Sequence, residues 1–226
     1  MGYEVIIAAA GKGERLGLSI PKALVKIGGK TLVERVVDKF IKFDKIRNIY
    51  VAVPPGYEPT IGELMSKYGD RVRVYTGGTV RQESIYRGLK YISDGYVLIH
   101  DVARIMVTDK LIERVMHAVT KYDAVIPVIP VRDTIKEVKH SKVLRTLPRE
   151  RLYIVQTPQG FRTELIVKAY EKAQQEGYHG TDSASLVERY GVDVSTVEGE
   201  VSNIKLTYAE DVKLVECMLM MVDEQC

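Results

Sequence analysis

The order of apolar runs constrains this chain of 226 residues more than any other feature. Strand-like stretches at Val5 to Ala9, Ile49 to Val53, Val72 to Tyr75, Tyr96 to His100 and Ala124 to Val128 alternate with segments of helical period. Strands buried on both faces read as continuous apolar runs, whereas helices that cover them repeat about every 3.6 residues, so the alternation specifies βαβ units. Val33, Val36, Val37, Phe40 and Ile41 mark one face of a helix beginning near Thr31, and Ile85, Leu89 and Ile92 mark another beginning near Val80. The expected class is α/β, a mostly parallel sheet flanked by helices.

Ligands of such sheets bind where loops leave the carboxyl ends of the strands. The first of these loops is the most informative. Val5-Ile6-Ile7 runs into Ala8-Ala9-Ala10-Gly11-Lys12-Gly13-Glu14-Arg15-Leu16-Gly17, and Pro21-Lys22 follows shortly after. Small residues let backbone approach phosphate, glycines allow turns that a Cβ forbids, and Lys12, Arg15 and Lys22 bring positive charge, so the segment reads as a triphosphate nest. It is not a dinucleotide fingerprint, because Leu16 stands where the third glycine is required. Nor is it a P-loop: Gly29-Lys30-Thr31 has the closing triplet but lacks the earlier glycine and the preceding strand.

Composition narrows the partners. With 46% apolar residues the chain can bury a sizeable core, and it is expected to fold as one domain spanning 1–226. The formal charge of +3 is small beside 33 basic and 30 acidic residues, and no block of basic residues suggests nucleic acid. Cys217 and Cys226 are too few for a disulfide framework, and no leader or membrane span is visible, so a soluble cytoplasmic protein with no membrane partner is expected. Within the domain, residues 131–155 change character: Thr134 to Val138 and Val143 to Leu147 read as two short strands, with Arg149 to Val155 returning as a third. This predicts a projecting β arm whose exposed edges and apolar groups would be covered by a second subunit.

Five further clusters carry candidate chemistry. Gly77-Gly78-Thr79-Val80-Arg81-Gln82-Glu83-Ser84 leaves a strand and enters a helix, which suits either an acceptor-rich ligand on free amides or an ordinary capped turn. His100-Asp101-Val102-Ala103-Arg104 ends a strand; Asp101 is the candidate for a hard divalent cation held by one carboxylate and phosphate oxygens, or else forms an ion pair with Arg104. His100 reads as a packed strand-end residue. Arg132-Asp133-Thr134, Arg149 and the Val155-Gln156-Thr157-Pro158-Gln159-Gly160-Phe161 turn place polar side chains at the base of the arm, where turn chemistry is the better reading of the stretch taken alone, and Thr181-Asp182-Ser183 fits a helix cap as well as ligand contact. In Asn203-Ile204-Lys205-Leu206-Thr207, read as a short strand, Lys205 points away from its apolar neighbours, toward a cleft or toward solvent.

In this order the motifs resemble the 2-C-methyl-D-erythritol 4-phosphate cytidylyltransferases of the non-mevalonate isoprenoid pathway. The resemblance rests on Ala9-Ala10-Gly11-Lys12-Gly13-Glu14-Arg15, Pro21-Lys22, Gly77-Gly78 with Arg81 and Ser84, His100-Asp101 with Arg104, Arg132-Asp133-Thr134, Thr157-Pro158-Gln159, Thr181-Asp182-Ser183-Ala184-Ser185 and Asn203-Ile204-Lys205, and it runs nearly the full length. It implies a Rossmann-like sheet of the nucleotide-diphospho-sugar transferase type, with Arg15, Lys22 and Lys205 as catalytic cations and Mg2+ on Asp101. CTP would be gripped by Ala9, Ala10, Gly11, Gly13, Gly78, Arg81, Ser84 and Asp101. Arg104, Thr134, Arg149, Thr157 and Thr181 would address the polyol phosphate, Thr134 and Arg149 reaching it from the arm of a second subunit in a homodimer. Ribitol 5-phosphate cytidylyltransferases share the nucleotide half, although Thr181 to Glu188 is more similar to the methylerythritol branch. Other sugar-phosphate or molybdopterin nucleotidyltransferases, a non-catalytic nucleotide-binding module and a dehydrogenase are the remaining alternatives.

Overall fold

The structure is a computed structural model that describes residues 2–11, 13, 17 and 20–223. In chain order the strands and helices are β1 (Tyr3–Ala8), β2 (Lys26–Ile27), β3 (Lys30–Thr31), α1 (Leu32–Phe40), β4 (Ile46–Val53), α2 (Glu58–Met65), β5 (Val72–Thr76), α3 (Arg81–Leu89), β6 (Tyr96–Asp101), α4 (Asp109–Tyr122) and β7 (Ala124–Pro130). They continue with β8 (Ile135–Lys139), β9 (Lys142–Leu147), β10 (Tyr153–Val155), β11 (Gln159–Arg162), α5 (Thr163–Gln175), α6 (Ser183–Tyr190), β12 (Ser195–Glu198) and α7 (Ala209–Asp223).

Among the described residues, eight strands make one twisted sheet whose centre runs β5, β4, β1, β6. These four are parallel to one another, as the apolar runs predict. β1 is buried on both faces: Val5 and Ile7 pack with α1 and α4, while Ile6 packs with Ile85 and Leu89 of α3 and with the α5 and α6 side. Alternation along one strand thus divides the core into two layers.

Beyond β6 the sheet departs from the expected pattern. β11 lies antiparallel between β6 and β7, a strand that the Pro158 and Gly160 turn signals concealed. Gly160 is required there by close approach: a Cβ would stand 2.9 Å from Val115 Cγ1 and 3.2 Å from Val119 Cβ of α4. Val128 of β7 pairs with Val155 of β10 on one edge and with Glu198 of β12 on the other. β8 and β9 form a hairpin that pairs only with itself, turning at His140 and Ser141 with φ of 47° and 62°. The third arm strand is corrected: residues 149–151 form a single 3-10 turn, and β10 joins the main sheet against β7. Pro148 and the polar Arg149-Glu150-Arg151 run interrupt strand alternation, which resumes only at Tyr153, where the edge of β7 supplies partners.

The helix predicted near Thr31 begins with a reciprocal cap. Thr31 Oγ1 accepts from the Glu34 amide at 3.3 Å, and Glu34 Oε2 accepts from the Thr31 amide at 3.0 Å, while Glu34 Oε1 meets Lys67 Nζ at 2.6 Å. Burial raises the Glu34 carboxyl, but the Lys67 ammonium and the Thr31 bonds outweigh it and hold the group down at about 2 from an ordinary 4.5. A carboxyl depressed on folding contributes stability above its unfolded value and loses it as pH falls toward the folded one. Urea denaturation should therefore show wild-type stability falling more steeply than that of Glu34→Gln between pH 4.5 and about 2; parallel pH profiles would contradict this.

Candidate active site

The carboxyl ends of β1, β5 and β6 open onto a cleft of about 670 Å³ whose lining includes Ala10, Gly11, Lys22, Gly78, Asp101 and Lys205. A second recess of about 390 Å³ borders it and shares Arg81, Asp101 and Lys205 while adding Arg104, Thr157 and Thr181. Two compartments therefore meet at one strand-end carboxylate. Residues 22, 101 and 205, far apart in the chain, stand in one wall.

Asp101 is buried and bonded at both oxygens: Arg81 Nε donates to Oδ1 at 2.8 Å and Lys205 Nζ donates to Oδ2 at 2.7 Å. Burial would raise its pKa, yet these two cations and their hydrogen bonds drive it well below the usual carboxylate range. The Asp101 to Arg104 ion pair is corrected accordingly. Arg104 directs Nη1 to the Asn203 carbonyl at 2.6 Å and Nη2 to the Val155 carbonyl at the end of β10 at 3.1 Å, so its guanidinium is spent on backbone acceptors. Lys205 does face the cleft, but residues 203–207 are a loop and not the short strand expected.

His100 is fully buried against Phe40, the packed strand-end residue that was expected. Its Nε2 lies 3.1 Å from the Arg104 carbonyl, which only accepts, so Nε2 carries the proton and Nδ1 accepts from the Thr157 hydroxyl at 3.0 Å. Burial pushes the imidazole down to about 4 and keeps it neutral. Thr157 Oγ1 in turn accepts from the Asp101 amide at 3.1 Å. Its hydroxyl thus bonds the end of β6, so Thr157 borders the second recess chiefly as a support for Asp101.

Of the two readings open for the loop between β5 and α3, the structure has its amides at Gly78 and Thr79 taken by side chains of the protein itself. The Gly78 amide donates to Ser84 Oγ at 2.9 Å, Ser84 donates to the Val80 carbonyl at 3.0 Å, and the Thr79 amide donates to Glu83 Oε2 at 2.8 Å. Side chains of α3 have claimed the loop donors. Gly77 is forced by proximity, since a Cβ would meet Ala10 Cβ at 2.5 Å. Ala10, Gly11 and Gly13 line the cleft, Gly13 with φ of 76°, and the Gly11 carbonyl accepts from the Lys22 amide at 3.3 Å. Ala9 does not line it: the residue is buried in the core and its amide donates to the Ala52 carbonyl, while Ala8 takes the lining position. Lys22 Nζ donates to the Leu206 carbonyl at 2.8 Å, which ties its loop to the one that carries Lys205. Arg15 and Lys12 lie outside the described residues.

Among the acceptor-side residues, Thr181 borders the second recess, and Asp182 caps α6, accepting from the Ser185 amide at 2.9 Å. Thr134 and Arg149 are exposed at the base of the hairpin and line neither compartment in this chain; Arg149 Nη1 bonds the Arg132 carbonyl at 2.6 Å. Sequence reasoning did not single out Gln156 and Asn203 as supports, although both are buried behind Lys205. Polar residues beside Thr157 and Lys205 were the available signal.

Cations gathered on a carboxylate, at a strand-end cleft large enough for a nucleoside triphosphate, define an α/β nucleotidyltransferase. The sequence is 42% identical over 220 residues to the 2-C-methyl-D-erythritol 4-phosphate cytidylyltransferase of Bacillus mycoides, covering 96% of this chain and 97% of that protein. It is 40% identical over 222 residues to the enzyme of the same name from Halalkalibacterium halodurans, with 97% of each covered. The fold superposes on the crystal structure of 2-C-methyl-D-erythritol 4-phosphate cytidylyltransferase from Thermus thermophilus with a TM-score of 0.84 and 37% identity, over 97% of this chain and 100% of that one. The chain belongs to the 2-C-methyl-D-erythritol 4-phosphate cytidylyltransferase family, whose model matches residues 3–221.

Because Ser84 holds both ends of the glycine loop, Ser84→Ala should raise the KM for nucleotide about tenfold, the scale set by one lost hydrogen bond, and leave the acceptor KM nearly unchanged. Steady-state kinetics with each substrate varied in turn check this. An unchanged nucleotide KM would contradict it.

Proposed function

We propose that the cleft joins CTP to 2-C-methyl-D-erythritol 4-phosphate, giving 4-diphosphocytidyl-2-C-methyl-D-erythritol and pyrophosphate. One observation carries the reading: Lys22 and Lys205 line the same cleft at Asp101. The acceptor's phosphate oxygen attacks the α-phosphorus of CTP, the bond to the bridging oxygen breaks, and pyrophosphate leaves. The nucleophile is already an anion, so no side chain has to remove a proton. Repulsion is the barrier. An anion approaches a polyanion, charge builds on the five-coordinate phosphorus and the leaving oxygen, and fixed cations offset it. Lys22 serves the nucleotide side, and Arg15 is assigned the same task by the family pattern. Lys205 and Arg81 line both compartments, which supports a role in which they would face the phosphate of each substrate.

A single carboxylate completed by phosphate oxygens is the donor set that Mg2+ takes beside nucleotides, and each Asp101 oxygen keeps an acceptor site beyond its one cation contact. Asp101 would hold the ion, which would neutralise triphosphate charge when bound. Arg104, Thr157 and Thr181 would border the polyol phosphate, and Thr134 and Arg149 would reach it from the 131–155 arm of a second copy. Exposed Val138, Val143 and Leu144 on that hairpin, and Tyr153 and Ile154 beside it, support a homodimer built through the arm. No described helix is long and apolar enough to cross a membrane. The cytoplasm, where the nucleotide pool lies, is the proposed location.

A pyrophosphate-release assay with CTP and Mg2+ tests the reading against methylerythritol 4-phosphate and ribitol 5-phosphate in parallel; release with ribitol phosphate alone would reject it. Lys22→Ala and Lys205→Ala should each lower kcat about a hundredfold, about 3 kcal/mol, the loss typical of one transition-state donor. Near-normal turnover in either variant would remove that residue from the mechanism. Thr134→Ala should raise the KM for the polyol phosphate and spare that for CTP, and light scattering should find a dimer. A monomer with full activity would overturn the arm's role.

A further inference from the structure

Lys205 sits on a stretch without regular structure, residues 199–207, and only the end of its long side chain meets Asp101. A cation on a loop is useful in catalysis only if its backbone is fixed, because a displacement of about 1 Å weakens a positioned contact severely. Here no strand ladder fixes it. Buried amide side chains do so instead. Gln156 clasps Glu200 at both backbone groups, accepting from its amide at 3.0 Å and donating to its carbonyl at 2.7 Å, as a neighbouring strand would. Asn203 Nδ2 donates to the Thr157 carbonyl at 2.9 Å and reaches Gln156 Oε1 at 3.4 Å, while the Asn203 carbonyl accepts from Arg104 Nη1 at 2.6 Å. Two acceptors facing Nδ2 fix the orientation of this amide, since a flip would set oxygen against oxygen.

One residue beyond Lys205, the Leu206 amide donates to the Ala103 carbonyl at 2.9 Å and its carbonyl accepts from Lys22. The lysine is therefore anchored on both sides. Asn203 is 0% exposed and lines neither compartment, whereas Gln156, 2% exposed, stands in the wall of the second recess. Asn203 therefore reaches the chemistry only through the loop.

We infer that Asn203, clasped with Gln156, is a positioning residue that holds Lys205 in register with Asp101 for the transfer step. This deepens the proposed function and rests on the catalytic role assigned to Lys205 there. Asn203 acts on turnover through one cation, and its contribution disappears when that cation is gone.

A double-mutant cycle tests this, with kcat and both KM values measured for Asn203→Ala, Lys205→Ala and the double variant by pyrophosphate release. Asn203→Ala should lower kcat about tenfold or more with the CTP KM changed less than about threefold, and should cost less than about threefold further in the Lys205→Ala background. An equal loss in both backgrounds, or an unchanged kcat in Asn203→Ala, overturns the inference while leaving the role of Lys205 intact. Normal turnover in Lys205→Ala overturns the cation assignment and this inference together. If Asn203→Ala does not fold, Asn203→Ser replaces it in the same cycle, and failure of both to fold assigns this amide to stability alone and overturns the positioning role.

Discussion

The carboxylate of Asp101, gripped by Arg81 on one oxygen and Lys205 on the other, is the contact on which the rest of the site depends. It stands at the end of a central strand, where the backbone is held by β1 on one side and β11 on the other. A buried carboxylate without partners would be costly, and two cations without one would repel each other across the same space. Together the three form a nearly fixed charge group that two compartments share. Each compartment thereby has cations at its inner end before any phosphate arrives, which is the preorganisation that transfer between anions requires.

Support for this group comes from elements that look ordinary in isolation. β11 enters antiparallel between β6 and β7, and the turn ahead of it places Thr157 under the Asp101 amide. Neutral His100 passes that bond on to the Arg104 carbonyl, so the end of β6 is closed by a short chain of buried hydrogen bonds. Arg104 then bonds the Asn203 carbonyl, and the loop that carries Lys205 is joined to the strand that carries Asp101. Buried polar groups of this kind specify one arrangement because leaving any of them unpaired is expensive.

Much of this was legible in the sequence, for reasons that differ from element to element. The central parallel strands announce themselves because burial on both faces demands unbroken apolar runs, and α1 announces itself through the apolar face of Val33, Val36, Val37 and Phe40 that follows Thr31. β11 was hidden because Pro158 and Gly160 read as a turn, and only the proximity of Val115 and Val119 explains the glycine. Asp101 was found as a strand-end acid, but its partners were not, since Arg81 and Lys205 lie 20 and 104 residues away and long-range ion pairs leave no local pattern. Whether the loop amides meet a ligand or pair with Ser84 and Glu83 was left open, because a helix start looks the same whether a ligand or its own side chains fill it.

The most direct measurement of the central claim is a crystal structure of the protein with CTP bound. The account predicts the triphosphate in the cleft between the glycine loop and Asp101, with the ammonium groups of Lys22 and Lys205 both at phosphate oxygens. A triphosphate bound elsewhere, or one in this cleft with Lys205 turned away from it, would contradict the account.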